Sequence, residues 1–229
     1  MGTMASTEPP STTPGAAVYS FPFLLRLIYD IWVLGITNTY IWRCSTSAIL
    51  LPFFKKHKTA NHLDIGVGTG YFLKYAGFEK NAEVTLVDLN QDSLDVASKR
   101  IPELRTKCIE HDVLKPLPIP ADQKFGSISL MYLLHCMPGP PESKAAIFSH
   151  LKHNLADDGV LFGATVLGKG VEHNWAGRVL MRTYNQQGIF GNLDDGAEVF
   201  IKELKVNFEE VEAEVRGVVL LFVARDPKR

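Results

Sequence analysis

Asp64, Gly66, Gly68 and Gly70 stand at alternate positions in His62-Leu63-Asp64-Ile65-Gly66-Val67-Gly68-Thr69-Gly70-Tyr71. The apolar residues before the glycines read as a buried strand, and the chain from Tyr71 as a helix. Glycines at such a turn let the backbone bend sharply and a ligand approach it, because no Cβ intervenes. A second apolar strand, 83–88, ends on Asp88, whose carboxylate is placed to accept hydrogen bonds from a ribose diol. Asn90, two residues on, can add a further contact. These residues indicate a nucleoside-containing ligand. A dinucleotide would want G-x-G-x-x-G, with a helix N-terminus facing a pyrophosphate. Here the spacing is G-x-G-x-G, Asp64 would repel a pyrophosphate, and no basic residue lies in or beside the turn. A carboxylate at that point suits a ligand carrying an ammonium group. His135 is the candidate general base: it directly follows an apolar strand in Tyr132-Leu133-Leu134-His135, and imidazole titrates near neutrality.

The elements that must position these groups alternate in periodicity. Strands are expected at 61–65, 83–88, 105–110, 125–132, 158–165, 207–214 and 217–224, and helices at 71–77, 91–101, 142–156, 171–186 and 195–205. Such alternation gives an α/β fold with a mostly parallel sheet and helices on both faces. The last two strands are joined by so short a link, near Gly217, that they must pair antiparallel. Ligands of such sheets sit at the carboxyl ends of the strands, near the switch in winding direction. Gly66, Asp88, Asp112 and Tyr132 therefore belong around one cleft.

The pattern D-x-G-x-G-x-G resembles the first motif of class I S-adenosylmethionine-dependent methyltransferases. Glu110-His111-Asp112-Val113-Leu114 resembles their acidic turn beside the adenine, and Ser127 to His135 their fourth strand. The resemblance spans about residues 58–225. It implies a Rossmann-like seven-stranded sheet of order 3-2-1-4-5-7-6 and S-adenosyl-L-methionine as cofactor. On that basis Asp64 and the Gly66 and Gly68 backbone hold the methionine end, Asp88 and Asn90 the ribose, and Leu89, Asp112 and Val113 the adenine. Tyr29 and Tyr71 are the best candidates to face the sulfonium through cation–π attraction, with Trp32 and Trp42 as further aromatic choices. In this fold the region after the fifth strand commonly forms the acceptor pocket, so His173, Trp175, Arg182, Tyr184 and Asn185 are substrate-side candidates with Trp32, and the glycine-bounded loop 188–192 can close over substrate. His57 and His62 flank the first strand and read as structural.

The implied reaction is in-line transfer of a methyl group to a small, fairly apolar acceptor such as a secondary metabolite, aided by alignment and by His135. Two alternatives fit the same loop: a cofactor-binding enzyme of non-methylating, cyclase-like chemistry, and a non-catalytic cofactor-binding subunit. The sequence has no D/N-P-P-Y/F tetrad of the kind that modifies nucleic acid or glutamine, and no acidic-histidine run suited to a metal.

Twenty-four Lys plus Arg against twenty-five Asp plus Glu, a formal net charge of −1, leaves no basic footprint for nucleic acid. Cys44, Cys108 and Cys136 are isolated thiols, consistent with a reducing, cytoplasmic setting. Residues 1–17, rich in Pro, Ser and Thr, read as a disordered tail. Residues 18–57 read as an apolar helical cap, with helices near 22–33 and 38–53, the second capped by Asn38 or Thr39. The catalytic domain follows over 58–229. No uncharged run reaches the roughly 20 residues needed to span a bilayer, so stable membrane insertion is not expected. The apolar cap is compatible with a monomer or a homodimer.

Overall fold

The computed structural model describes residues 30–229, with side chains described from Leu34. The expected tail at 1–17, Tyr29 and most of the expected helix at 22–33 lie outside the described residues. Trp32 falls on a described helix, but its side chain is likewise outside.

Seven strands form one sheet of order β3-β2-β1-β4-β5-β7-β6. They are β1 (Asn61–Ile65), β2 (Glu83–Asp88), β3 (Arg105–Glu110), β4 (Phe125–Met131), β5 (Leu155–Val166), β6 (Phe208–Arg216) and β7 (Val219–Pro227). Pairing is parallel from β3 through β5, while β7 runs antiparallel to both its neighbours. β1 and β4 are nearly continuous buried runs, as strands covered on both faces must be. The outer strands β3 and β6 are exposed, and β6 carries Glu209, Glu210, Glu212 and Glu214. Charges on such an edge discourage pairing with another chain. Apolar layers cover the two faces, one around Leu50, Phe54 and Phe162, the other around Phe148, Phe200 and Phe222.

The cap differs from its expectation. Helix α1 (Asp30–Ile41) is wound wide, with the Trp42 N–H reaching the Thr37 carbonyl at 2.9 Å. The break falls at 42–45, where Arg43 takes a positive φ of 57°, and α2 (Thr46–Leu50) runs directly into α3 (Leu51–His57). Ser45 is the cap, its Oγ accepting the Ala48 N–H at 3.3 Å. Asn38 instead lies inside α1, where its buried amide needs a partner and donates to Thr46 Oγ1 at 2.8 Å.

Helices α4 (Tyr71–Tyr75) and α5 (Gln91–Arg100) match their expected positions closely. The single helix expected at 142–156 is three pieces, α6 (Pro141–Ala145), α7 (Ile147–Leu151) and a 3₁₀ turn at Lys152–Asn154. The Asn154 amide donates to the Pro120 and Gln123 carbonyls, both at 3.0 Å, drawing the last turn off axis, and β5 begins at once. Helix α8 (Trp175–Gln186) starts later than expected because Asn174 caps it, accepting the Gly177 N–H at 2.8 Å. Helix α9 (Ala197–Asn207) leads into the final hairpin.

That hairpin turns at Gly217 and Val218. Gly217 has φ +61°, and a Cβ there would lie 2.2 Å from the Trp42 carbonyl oxygen. The Val218 N–H donates to the same oxygen at 3.0 Å. A glycine thus serves both the turn and the docking of the cap. Two more bonds tie the cap to the segment after β5: Arg43 Nη2 to the Glu172 carbonyl (2.5 Å) and Asn174 Nδ2 to the Tyr40 carbonyl (3.0 Å).

Candidate functional site

The glycine loop is a run of left-handed residues, with Gly66 at φ 73°, Gly68 at 53° and Gly70 at 70°. Main-chain bonds fix it: Gly66 N–H to Val87 O (2.8 Å) and Gly70 N–H to Val67 O (2.9 Å). It floors a cleft of about 800 Å³, counting the part open to solvent. Leu34, Thr37, Asn38 and Trp42 of the cap form one wall. Met131, Tyr132, His135 and Cys136 follow from β4, Val166 from β5, and Tyr184 and Phe190 close the far side.

Asp64 lies buried beneath the loop, its Oδ1 accepting the Ser129 hydroxyl. Burial pushes its carboxyl up to about 7, with the Ser129 bond opposing and the nearby Asp88 charge adding. Asp88 ends the adjacent strand and accepts the Asn90 N–H at 3.0 Å. Its carboxyl is also raised by burial, against the pull of backbone N–H groups from Asn90, Gly68 and Val67. Both carboxylates are therefore held ready for a partner that restores their lost solvation.

His135 is 4% exposed and packs against Phe190 at 4.5 Å and Tyr132 at 5.3 Å between ring centroids. Burial, then the Lys144 charge, lowers its pKa to about 3, so the ring is neutral at ordinary pH. Its Nδ1 accepts the Val166 N–H at 3.3 Å and stands 3.3 Å from Thr165 Oγ1. With Nδ1 accepting, the ring proton sits on Nε2.

Three polar atoms of cleft-lining residues are buried without a partner: Thr37 Oγ1, Asn38 Oδ1 and the Tyr132 hydroxyl. Each such group costs about 1–3 kcal/mol. Three around one cleft mark a place built to receive a ligand. Tyr132 also holds a positive φ of 61°, the kind of backbone strain that concentrates at functional sites.

Gly66, Gly68, Tyr71, Tyr132, His135 and Tyr184 thus line the cleft, with Asp64 beneath it and Asp88 at the next strand end. The other expected residues fall elsewhere. Leu89 (45% exposed), Asp112 and Val113 follow β2 and β3, outside the lining; Asp112 Oδ1 accepts the Leu114 N–H at 3.1 Å. Asn90 uses its side chain to cap α5, accepting the Asp92 N–H at 2.8 Å. Trp175 is 74% exposed at the start of α8 and away from the cleft. His173 stands one layer behind, its Nε2 donating to the Leu167 carbonyl (2.9 Å) and its ring against Trp42. The turn does have a basic neighbour, from the end of α5: Arg100 bonds the Thr69 carbonyl at 3.2 Å and lies over the Tyr71 ring.

The loop expected to close over substrate is pinned. Lys144 Nζ donates to both Asp195 oxygens at 2.8 Å and to the Gly191 carbonyl at 2.6 Å. Asn192 bonds Val166 O at 2.9 Å, and the Gly191 N–H bonds His135 O at 2.9 Å. Phe190 is therefore a fixed wall. The sequence marked Asn38 only as a helix cap and Phe190 only as part of the loop 188–192, and it gave no signal for Thr37; long-range contacts bring all three here.

The strand order, with one antiparallel strand inserted beside the outer edge, and the glycine loop at the switch point define a class. The chain belongs to the class I S-adenosylmethionine-dependent methyltransferases. Residues 63–161 match the family described as a methyltransferase domain. More particularly, the chain is similar to the physcion biosynthesis cluster O-methyltransferase of Aspergillus chevalieri, 47% identical over 96% of this chain and 99% of that protein. It is also similar, 47% identical over 82% of this chain and 78% of the other, to N-methyltransferase vrtF of Penicillium aethiopicum. The fold is shared with N-methyltransferase NodS of Bradyrhizobium japonicum in complex with S-adenosyl-L-homocysteine, at TM-score 0.56, 17% identity and coverage of 78% and 85% of the two chains. No helix among the described residues is long and apolar enough to cross a membrane.

Proposed function

We propose that the enzyme methylates a small, largely apolar acceptor at a hydroxyl or amine, held between the cap and the Tyr184–Phe190 wall. One observation carries this reading: among the described residues no Asp, Glu, Lys or Arg lines the cleft, whose walls are mostly apolar and aromatic. An acceptor with several charges would lose its hydration there without compensation. The relatives named above as an O- and an N-methyltransferase support oxygen or nitrogen as the methylated atom.

The residues present fit S-adenosylmethionine. When bound, that cofactor supplies an electrophilic methyl group on a sulfonium. Asp64 and the glycine-loop backbone would hold its ammonium end, Asp88 its ribose, and Leu89, Asp112 and Val113 its adenine. Tyr71 and Tyr132, which line the cleft, would face the sulfonium. The unpartnered oxygens of Thr37 and Asn38 accept from the acceptor's donors. Asn38 is well defined for this, since its Nδ2 is committed to Thr46 and leaves Oδ1 as the free end.

His135 acts as a hydrogen-bond donor and wall rather than as the base suggested by its position. A base needs a free ring lone pair, and the Nδ1 pair is taken by the Val166 N–H. The acceptor then reacts as an amine or as an oxygen already ionised, and alignment and dehydration carry the rate. Positioning of this kind is worth on the order of 7–11 kcal/mol.

Incubation with S-adenosylmethionine and a panel of phenols and aromatic amines tests the reading. Release of S-adenosylhomocysteine with a methylated phenol or amine supports it. Turnover confined to highly charged or macromolecular acceptors would overturn it, as would binding of cofactor with no turnover on any acceptor.

A further inference from the structure

Behind Asp64 runs a continuous line of buried polar groups that the methyl-transfer chemistry does not use. Ser129 Oγ donates to Asp64 Oδ1 and lies 2.9 Å from His62 Nε2. His62 Nδ1 lies 2.7 Å from Ser127 Oγ, which is 2.9 Å from Thr59 Oγ1. Thr59 Oγ1 in turn stands 2.9 Å from the Asn61 carbonyl, at the start of β1 and so at the opposite end of the strands from the cleft. His62, Ser127 and Ser129 are fully buried. The rings of Phe54, Phe78 and Phe162 surround the imidazole at 5.5, 5.5 and 6.1 Å.

This line admits two complete hydrogen-bond patterns. With Asp64 ionised, Ser129 donates to it, His62 Nε2–H donates to Ser129, Ser127 donates to Nδ1, and Thr59 donates to Ser127. With Asp64 protonated every bond reverses: Asp64 donates to Ser129, Ser129 to Nε2, Nδ1–H to Ser127, Ser127 to Thr59, and Thr59 to the Asn61 carbonyl. No buried donor is left over in either. To pass from the second pattern to the first, each group hands its proton to the next, and Thr59, half-buried at the far end, releases one to solvent. The ring stays neutral in both.

We propose that Ser129, His62, Ser127 and Thr59 form a proton-linked wire that orients Asp64 and couples its ionisation to the tautomer of His62, making His62 a positioning residue for cofactor binding. This rests on the reading of Asp64 as the partner of the cofactor's ammonium. Arrival of that ammonium favours the ionised pattern and sends the proton out at the Thr59 end. The charged groups facing the wire are Asp88, from β2, which acts on Asp64, and Lys58, after α3, which acts on His62. Both burial shifts agree with the wire: Asp64 is raised to about 7, and His62 is lowered to about 3, which favours a neutral ring.

The test is ¹⁵N NMR of the His62 ring in histidine-labelled protein. We expect Nδ1–H in the free enzyme at pH 5.5 and Nε2–H when it is saturated with S-adenosylhomocysteine at pH 8. One tautomer throughout would overturn the wire. Ser129→Ala is expected to silence the tautomer change and weaken S-adenosylhomocysteine about tenfold, raising the cofactor KM while kcat holds. Ser129→Thr, which keeps the hydroxyl, should restore both. If the alanine variant does not fold, the wild-type spectra decide alone. Asp64→Asn separates the two ideas. Undiminished binding would defeat the reading of Asp64 itself, whereas lost binding in this variant together with a wild-type His62 that keeps one tautomer would defeat the wire alone.

Discussion

The two halves of the cleft are built by different means. The cofactor half is one strand, its turn and the neighbouring strand end, held by main-chain bonds such as Gly66 to Val87. The acceptor half gathers α1, the end of β5, α8 and the Phe190 loop, which are far apart in sequence. Side-chain bonds from Lys144, Asn185, Asn192 and Asn174 hold it together. A backbone-built half tolerates little change, whereas a half stitched by side chains can be re-tailored one contact at a time. The similarity of one chain to both a named O- and a named N-methyltransferase fits that division.

The largest test of this contrast lies at the buried Lys144–Asp195 pair (0% and 1% side-chain exposure). Lys144→Met strands a buried charge and should remove about 3–5 kcal/mol of stability in urea unfolding, and Lys144→Met with Asp195→Leu should regain most of it. If the single variant is as stable as the wild type, the acceptor wall is not pinned as described.

Asp64 tests the other half. Burial lifts its carboxyl from 3.8 to about 7. Its contribution favours folding fully below about pH 4 and is lost as pH rises through 7. Asp64→Asn should therefore stabilise the free protein by about 2–4 kcal/mol at pH 8, with the gap shrinking by pH 5. The same substitution should weaken the cofactor. Denaturation midpoints at the two pH values check the first part, and calorimetry the second.

Asp88→Ala should weaken S-adenosylhomocysteine by ten- to a hundredfold, about 1.5–3 kcal/mol for charged hydrogen bonds, while sparing the acceptor KM of the residual activity. Tyr184→Leu should do the reverse and more mildly. We expect a severalfold rise in acceptor KM, about 1 kcal/mol, with calorimetric cofactor affinity unchanged. Equal effects of either variant on both ligands would erase the boundary between the halves.

The same boundary separates what could be read from the sequence from what could not. β1, β2 and β3 fell where expected, the first two marked by apolar residues that lead into the glycine loop and Asp88, which are local motifs. Asn38 was misread because its type suits a helix cap, and only folding shows Thr46 waiting for its amide. Trp175 followed the fifth strand and was taken as a pocket residue, but Asn174 caps the helix immediately before it, and the ring at its first position faces solvent. Arg100 reaches the glycine turn from the next helix, which no spacing near the turn could show. His135 was found by its place after β4, while its role depends on a bond from Val166, a residue of another strand.

The β6–β7 turn has the outward marks of a spare loop: two residues, an exposed glycine, the end of an edge strand. Such tips are the usual choice for inserting a tag, a label or a fused domain. Here the tip is the seat of the Trp42 carbonyl, and Trp42 is a wall of the pocket. An insertion at Gly217 would behave as an active-site mutation made from outside. A directed-evolution library aimed at new acceptors could include Gly217 and Val218 among its varied positions.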